Sequence, residues 1–254
     1  MIDIHSHLLP GVDDGARSIE TSVAVLERFQ SQGVDVLVCT PHLDASAADS
    51  APYERHREIL RELVAAAPPA PRLELGWEIM LDRPGVDLSA PELALGGSRA
   101  VLVEFPRTAI PPGAADELYR LHASGVIPVL AHPERYWGCT PAHIRQWRDA
   151  GAAIQLDAVG LLAAEPVSAL ARAMLEQGLV DCIASDNHGD GRTLLAAKLW
   201  LEEVGADEQA HLLTSVNPGR LLTDEAPVPV APVVFRRGMF GRLKELVFGK
   251  RSLR

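Results

Sequence analysis

Imidazole and carboxylate side chains recur along this chain, each beside an apolar run. His5 and His7 stand in "MIDIHSH", Asp14 in "VDDGA", His42 in "CTPH" and Glu78 in "GWEIM". Glu104 follows in "VLVEFP", His132 in "LAHPERY", and Asp186 with His188 in "ASDNH". Neutral imidazole and carboxylate together suit Zn, Mn or Fe. One ion with about four to six ligands leaves several of these nine groups unused. Two or three ions, with a carboxylate bridging, use them all. Ions roughly 3.5–4 Å apart form the clamp that holds the attacking and leaving oxygens in phosphoryl transfer. Any one of these residues alone is weak evidence, because a lone His near a strand end is usually a hydrogen-bonded structural residue. The signal is their joint placement.

That placement depends on the elements that carry them. Seven short runs rich in Val, Ile and Leu read as buried parallel strands: "MIDIHS", "VDVLVCTPH", "LELGWEI", "AVLVEF", "IPVLAHP", "AAIQLDA" and "VDCIASD". Helical patterns lie between several of them. "SIETSVAVLERFQSQG" stops at Gly33, "PYERHREILRELVAAA" places Pro52 in a first turn, and "TPAHIRQWRDAG" pairs Thr140 as a cap with Pro141 just inside. Alternating strand and helix favour a parallel sheet or barrel, and 254 residues suit a single α/β barrel. Six of the seven runs end in a metal-competent side chain. In a parallel barrel those ends meet at one face, where Asp14 in the first loop can join them. Asp157, at the end of the sixth run, reads as support for such a site or as an ordinary strand-end hydrogen bond.

Composition excludes other classes. Apolar residues make up 47% of the chain, enough for a sizeable core. The net charge of −10 argues against a nucleic-acid partner. The polar "DIHSH" interrupts any leader, and no run of about 18 apolar residues is present, so a cytoplasmic protein is expected. Three widely spaced cysteines do not make a disulfide framework. The expected organisation is a barrel over residues 1–224, a Pro-rich linker over 225–235 and a basic tail over 236–254. The tail carries seven Lys/Arg and one Glu, a net +6 that leaves −16 for the rest. Met239, Phe240, Leu243, Leu246 and Val247 fall at helical spacings among Arg242, Lys244, Lys250 and Arg251. Such a segment suits an anionic membrane surface or an acidic partner, although three glycines weaken the helix.

The strings "MIDIHSH", "VDDGA", "TPH", "EI", "EF", "AHPERY" and "SDNHGDGR", with "NPGRLL" near the end, resemble the polymerase and histidinol phosphatase (PHP) superfamily. Within it they are most similar to the bacterial capsule-associated tyrosine-protein phosphatases. The resemblance implies an α/β fold, a distorted (β/α)7 barrel of the PHP type with a C-terminal extension. It implies two to three divalent ions, Mn2+ first, with Fe, Zn or Co as other choices. His5, His7, Glu78 and Asp186 would hold one ion. Glu78 would bridge to a second held by Glu104 and His132, while Asp14, His42 and His188 would hold a third. Arg135 and Arg192 match the family's phosphate-binding arginines, a role that planar guanidinium groups suit. The implied substrate is a phosphotyrosine protein, a membrane-bound tyrosine autokinase controlling polysaccharide export, met at the inner membrane face.

Other readings stay open at this level. Another PHP phosphoesterase would act on a small phosphate monoester. Many amidohydrolases also begin with "HxH" but bridge two metals with a carbamylated lysine, and no lysine precedes Lys198 here. A carboxylate-bridged amidohydrolase remains. "CTPAHIR", Cys139 to Arg145, has the spacing of a cysteine-dependent phosphatase loop but lacks its glycine and reads as a helix start. A metal-stabilised scaffold docking through its tail is the non-enzyme reading; a structural site would be closed to water.

Overall fold

The computed structural model describes residues 1–235. The tail over 236–254, with its expected helix and docking role, lies outside the described residues. Among the described residues the seven predicted runs appear as nine strands, all paired in parallel. They are β1 (Ile2–Asp3), β2 (Val36–Cys39), β3 (His42–Asp44), β4 (Arg72–Leu75), β5 (Glu78–Met80), β6 (Ala100–Glu104), β7 (Ile127–Ala131), β8 (Ala153–Asp157) and β9 (Cys182–Ala184). The count rises because the second and third runs each break once, at Thr40–Pro41 and at Gly76–Trp77. Pro41 has no N–H to give to a ladder. The pairing offset is the same on both sides of the break, with Cys39 opposite Leu75 and His42 opposite Glu78.

The strands form one sheet ordered β1-β2-β4 and another ordered β3-β5-β6-β7-β8-β9. They are therefore continuous through the two broken runs. The last strand returns to the first through the bridge between Ser6 and Asn187, with Asp186 N–H donating to the His5 carbonyl at 3.0 Å and His7 N–H to the Asn187 carbonyl at 2.8 Å. The ring is irregular between β4 and β6, which do not pair. Leu95, fully buried, fills that gap. A Cβ on Gly76 would stand 2.7 Å from the Leu95 side-chain tip and 3.2 Å from its Cα, so a larger residue there would push on the plug.

Two apolar cores follow from strand alternation. Inside the ring, Ile4, Val38, Leu102, Val129, Ala153, Cys182 and Ala184 pack with Leu95 and with Leu221 of the final helix, α8 (Asn217–Leu221). Outside, the opposite parity packs on the helices. These are α1 (Ile19–Ser31), α2 (Tyr53–Ala66), α3 (Ala114–Ala123), α4 (Pro141–Asp149), α5 (Val167–Glu176), α6 (Leu194–Glu203) and the short α7 (Asp207–His211). The α1 boundaries have local causes. The Ser18 side chain accepts from Thr21 N–H at the start, and Gly33 takes φ +76° just past the end. Val25, Leu26 and Phe29 form its buried face, each worth roughly 1.5–3 kcal/mol of transfer free energy. Pro52 precedes α2 as its cap residue rather than standing in its first turn. Thr140 and His143 make a reciprocal capping box at α4, with Pro141 at the first position. No helix among the described residues is long and apolar enough to cross a membrane.

The Pro-rich segment has no regular structure, but it is held against the body. Val228 exchanges two hydrogen bonds with the buried Asn217 side chain, at 2.7 and 2.9 Å. Val233 N–H donates to the Leu175 carbonyl at 2.9 Å, and Phe235 packs on Trp200 with ring centroids 5.0 Å apart. Val230 and Val233 are buried.

Candidate metal centre

The parity that fills the ring with small apolar residues also delivers the polar ones. Ala100 and Leu102 are followed by Glu104, Ala153 by Gln155 and Asp157, Cys182 and Ala184 by Asp186, and Val38 by Thr40 and His42. Each strand therefore carries its apolar residues at one pole and a polar residue at its C-terminal end. Two of the site residues have left-handed backbone, His132 at φ +33° and Asp186 at φ +46°. That conformation costs a non-glycine residue on the order of 1–3 kcal/mol and turns each side chain out of the strand direction.

All nine residues gather at this pole. His5, His7, Glu78 and Asp186 form one set, buried throughout. His42, Glu78 and Glu104 form a second. His7, Asp14, His42 and His188 form a third, which is open to solvent through Asp14 and His42. This differs in two details from the distribution that the resemblance implies. His7 lies within reach of two sets, and His42 rather than His132 completes the set with Glu78 and Glu104. His132 Nε2 lies 2.6 Å from Glu78 Oε1 and 3.8 Å from Glu104 Oε2.

The first set fits a cation. His5 Nε2 and His7 Nε2 are 3.2 Å apart, and each is 3.2–3.3 Å from both Glu78 Oε2 and Asp186 Oδ1. A regular tetrahedron with that edge has its centre about 2.0 Å from each corner, the length of a metal–imidazole bond. The tautomers agree. His5 Nδ1–H donates to Gln155 Oε1 at 3.0 Å and His7 Nδ1–H to Asp13 Oδ2 at 2.8 Å, so both Nε2 lone pairs face the centre. Glu78 Oε2 and Glu104 Oε2 are buried without a properly directed hydrogen bond. Buried polar atoms in native proteins are nearly always satisfied, so these two, both facing the donor sets, point to a missing partner.

The electrostatics agree with the geometry. Burial lowers the pKa of His5 and of His7, yet the Glu78 and Asp186 carboxylates, joined at His7 by Asp13, outweigh it and raise both. Burial pushes the Glu78 carboxyl up, but His5, His132 and His42 hold it well below the usual carboxylate range. Burial acts likewise on Asp186, where His5, His7 and Arg135 overcome it and keep the group ionised. Glu104 is pushed up to about 7, by burial first and by the Glu78 charge second. Burial takes His132 down to about 4. The ionised Glu78 and Asp186 carboxylates draw positive charge to the centre, which a cation can supply.

Both arginines meet at Asp186. Arg135 Nη1 donates to Asp186 Oδ2 at 2.7 Å, and its other arm pairs with Asp157. Asp157 thus supports the site through Arg135. Arg192 Nη1 donates to the Asp186 carbonyl at 2.6 Å and lies 3.2 Å from Asp186 Oδ2. Sequence reasoning passed over Asp13 and Gln155 as the imidazole-orienting groups. It also passed over Arg28, whose Nη2 donates to the Asp190 carbonyl at 2.6 Å and fixes the loop bearing Arg192. Gly15 belongs with them: a Cβ there would stand 2.0 Å from the His7 carbonyl oxygen, so only glycine lets the Asp13 loop close on His7. "CTPAHIR" is the helix start it resembled. Arg145 bonds Gln177, and burial pushes the Cys139 thiol up to about 12, so it carries no thiolate at neutral pH.

Comparison with known proteins gives the chain's family. The family model for capsular polysaccharide synthesis, CpsB/CapC, matches residues 1–223. Tyrosine-protein phosphatase YwqE of Bacillus subtilis is 29% identical over 258 residues, covering 95% of this chain and 99% of that one. Tyrosine-protein phosphatase CpsB of Streptococcus pneumoniae is 29% identical over 245 residues, covering 89% and 99%. A crystal structure from work on those two proteins, described there as metal-dependent tyrosine phosphatases, aligns with a TM-score of 0.76 at 28% identity, covering 93% of this chain and all of that one. With its ring of strands, its donor set and a match over nearly the whole described length, this chain belongs to the CpsB/CapC family.

Proposed function

We propose that this protein is a metal-dependent phosphotyrosine phosphatase acting through His5, His7, Asp14, His42, Glu78, Glu104, His132, Asp186 and His188 on two or three divalent ions, with Mn2+ the first choice. The observation that carries the reading is the convergence of three interlocking His/Asp/Glu sets at one pole, two of them sharing Glu78. Divalent ions in such a set supply an acidified water and positive charge for in-line phosphoryl transfer. The chain's own residues do the rest. Gln155 and Asp13 keep two imidazoles facing inward. Arg135 and Arg192 hold the equatorial phosphoryl oxygens as charge shifts onto them. Asp157 and Asp186 keep the Arg135 fork in one orientation. The tyrosine leaves as a phenolate whose conjugate acid has a pKa of about 10, a tolerable leaving group. No cysteine takes part.

The wider reading extends this to the substrate and its place. The substrate is the phosphorylated tail of a membrane-bound tyrosine autokinase in polysaccharide export, met at the cytoplasmic membrane face. The deciding experiment strips metal with a chelator and returns Mn2+, Fe2+, Zn2+ and Co2+ singly, with phosphotyrosine, phosphoserine and histidinol phosphate as substrates. Turnover of phosphotyrosine that disappears on chelation and returns with metal is expected. Preference for histidinol phosphate, or turnover that survives chelation, would overturn the reading.

A further inference from the structure

A groove of about 430 Å³ opens directly beside the donor sets, lined by His42, Leu43, Asp44, Met80, Glu104 and Arg107. His42 and Glu104 form its inner end. Leu43 and Met80 give it apolar wall, which the ionic chemistry of the centre does not need. Arg107 stands at the outer side, its side chain 48% exposed, and its nearest carboxylate contact is Glu104 Oε2 at 3.8 Å. A guanidinium carries five N–H donors, so most of those on Arg107 remain open toward the groove.

Beside Arg107 lies the one exposed tryptophan. Trp137 is 79% exposed, whereas Trp77, Trp147 and Trp200 are all at or below 3%. Its backbone N–H donates to the Arg107 carbonyl at 3.0 Å, which joins the loop after β6 to the loop after β7. Both loops are rigidly seated. The buried Tyr136 hydroxyl donates to the Ala131 carbonyl at 2.7 Å and accepts from Phe105 N–H at 3.1 Å. An exposed indole on a loop bonded to the one that carries Arg107 offers contact area to a bound peptide, and Trp and Arg are enriched among residues that carry binding energy.

Resting on the phosphatase reading, we propose that the groove walled by Leu43, Met80 and Arg107, with Trp137 on the loop bonded to that of Arg107, is the subsite for the tyrosine ring and for acidic residues flanking it in the phosphorylated peptide. The apolar wall covers the ring once the phosphate reaches the metal centre. Arg107 then answers a flanking Asp or Glu, locally reversing the repulsion expected from a chain of net charge −10. Asp44 opposes this from the other side of the groove and disfavours acidic residues at that position. The indole contributes contact area at small entropic cost.

Two readouts test it. In the metal-loaded protein, a phosphonate analogue of a phosphotyrosine peptide with acidic flanks, which cannot be hydrolysed, is titrated while tryptophan emission is recorded. A saturable change is expected in the wild type, and Trp137→Phe should abolish it. In parallel, KM is measured for phosphotyrosine peptides with acidic and with neutral flanks and for p-nitrophenyl phosphate. Arg107→Ala should erase the preference for acidic flanks and raise KM for the acidic peptide at least fivefold relative to p-nitrophenyl phosphate; Arg107→Lys should restore part of it. Emission unmoved by saturating analogue, or an acidic preference that persists in Arg107→Ala, would overturn the subsite while hydrolysis of p-nitrophenyl phosphate leaves the phosphatase reading standing. No hydrolysis of either substrate class by the wild type with any metal would overturn both.

Discussion

At the scale of the residue, ligand and support differ in how they act. Asp186 gives one carboxylate oxygen to the His5–His7–Glu78 set and the other to Arg135. Asp186→Ala should therefore abolish turnover while the circular dichroism of the barrel persists; wild-type turnover at saturating metal would remove Asp186 from the site. Gln155→Ala leaves every ligand in place but frees the His5 ring, so metal affinity or activity should fall about 10- to 100-fold, read by metal titration. Unchanged affinity and turnover would show that the 3.0 Å bond does not orient His5. The two kinds of residue also differ in what a sequence shows. Glu104, His132 and Asp186 are legible because each stands at the end of an apolar run. Gln155 stands mid-run, where a polar residue has no signature of its own. Its meaning is supplied by His5, 150 residues away. The arginines were legible only through the strings "HPERY" and "GDGR", and nothing in their spacing shows that both would meet at one carboxylate.

At the scale of the element, two positions act on the site from a distance in different ways. Arg28, in the last turn of α1, grips the Asp190 and Arg192 carbonyls. Its loss frees the loop that aims Arg192, and kcat/KM for an aryl phosphate should fall between about 10- and 100-fold with little change in melting temperature. A fall in melting temperature with kcat/KM intact would make Arg28 a stabilising contact only. Leu95 lies at the opposite pole. Leu95→Ala opens the gap between β4 and β6 and should cost about 2–5 kcal/mol in denaturant unfolding, with KM unchanged at temperatures where the protein stays folded. The penalty of Gly76→Ala should shrink in that background, because the added methyl enters the space Leu95 leaves. Additive penalties would show that the two do not share that space. The strands were legible as apolar runs, and so were the helix stop at Gly33 and the helix start at Thr140. The irregularity of the ring was not. A ladder interrupted at Pro41 has the same apolar pattern on either side of the break. The wedging of Leu95 between β4 and β6, in place of a direct pairing, is a tertiary choice with no local signal.

At the scale of the whole molecule, charge and attachment divide between the body and the tail. With −16 on residues 1–235 and +6 on the tail, a tail-driven attraction to anionic surfaces should be strongly screened by salt. Full-length protein should co-sediment with anionic vesicles at low salt and release at high salt, and a chain ending at Phe235 should not bind. Equal behaviour of the two would direct attention to a protein partner. Composition marks residues 225–235 as extended, but not as seated on α5 and α6, since that depends on Asn217 and Leu175 offering partners. The seat sets a direction. Asn217 also donates to the Asp181 carbonyl just before β9, so the segment starts at the pole opposite the metal centre and ends against Trp200 on the flank. A body held to a surface through the chain beyond Phe235 is attached by its flank, so its mouth lies to one side of the attachment. A compact chain of this length has a radius of gyration of about 18 Å, hence a breadth of roughly 45 Å. A substrate rooted in the same surface must rise about half that breadth to the mouth, and at about 3.3–3.6 Å per extended residue it needs a leash of at least roughly half a dozen residues. Shortening the spacer between membrane and phosphotyrosine below that length should leave the phosphate on, even where the free peptide is dephosphorylated at full speed.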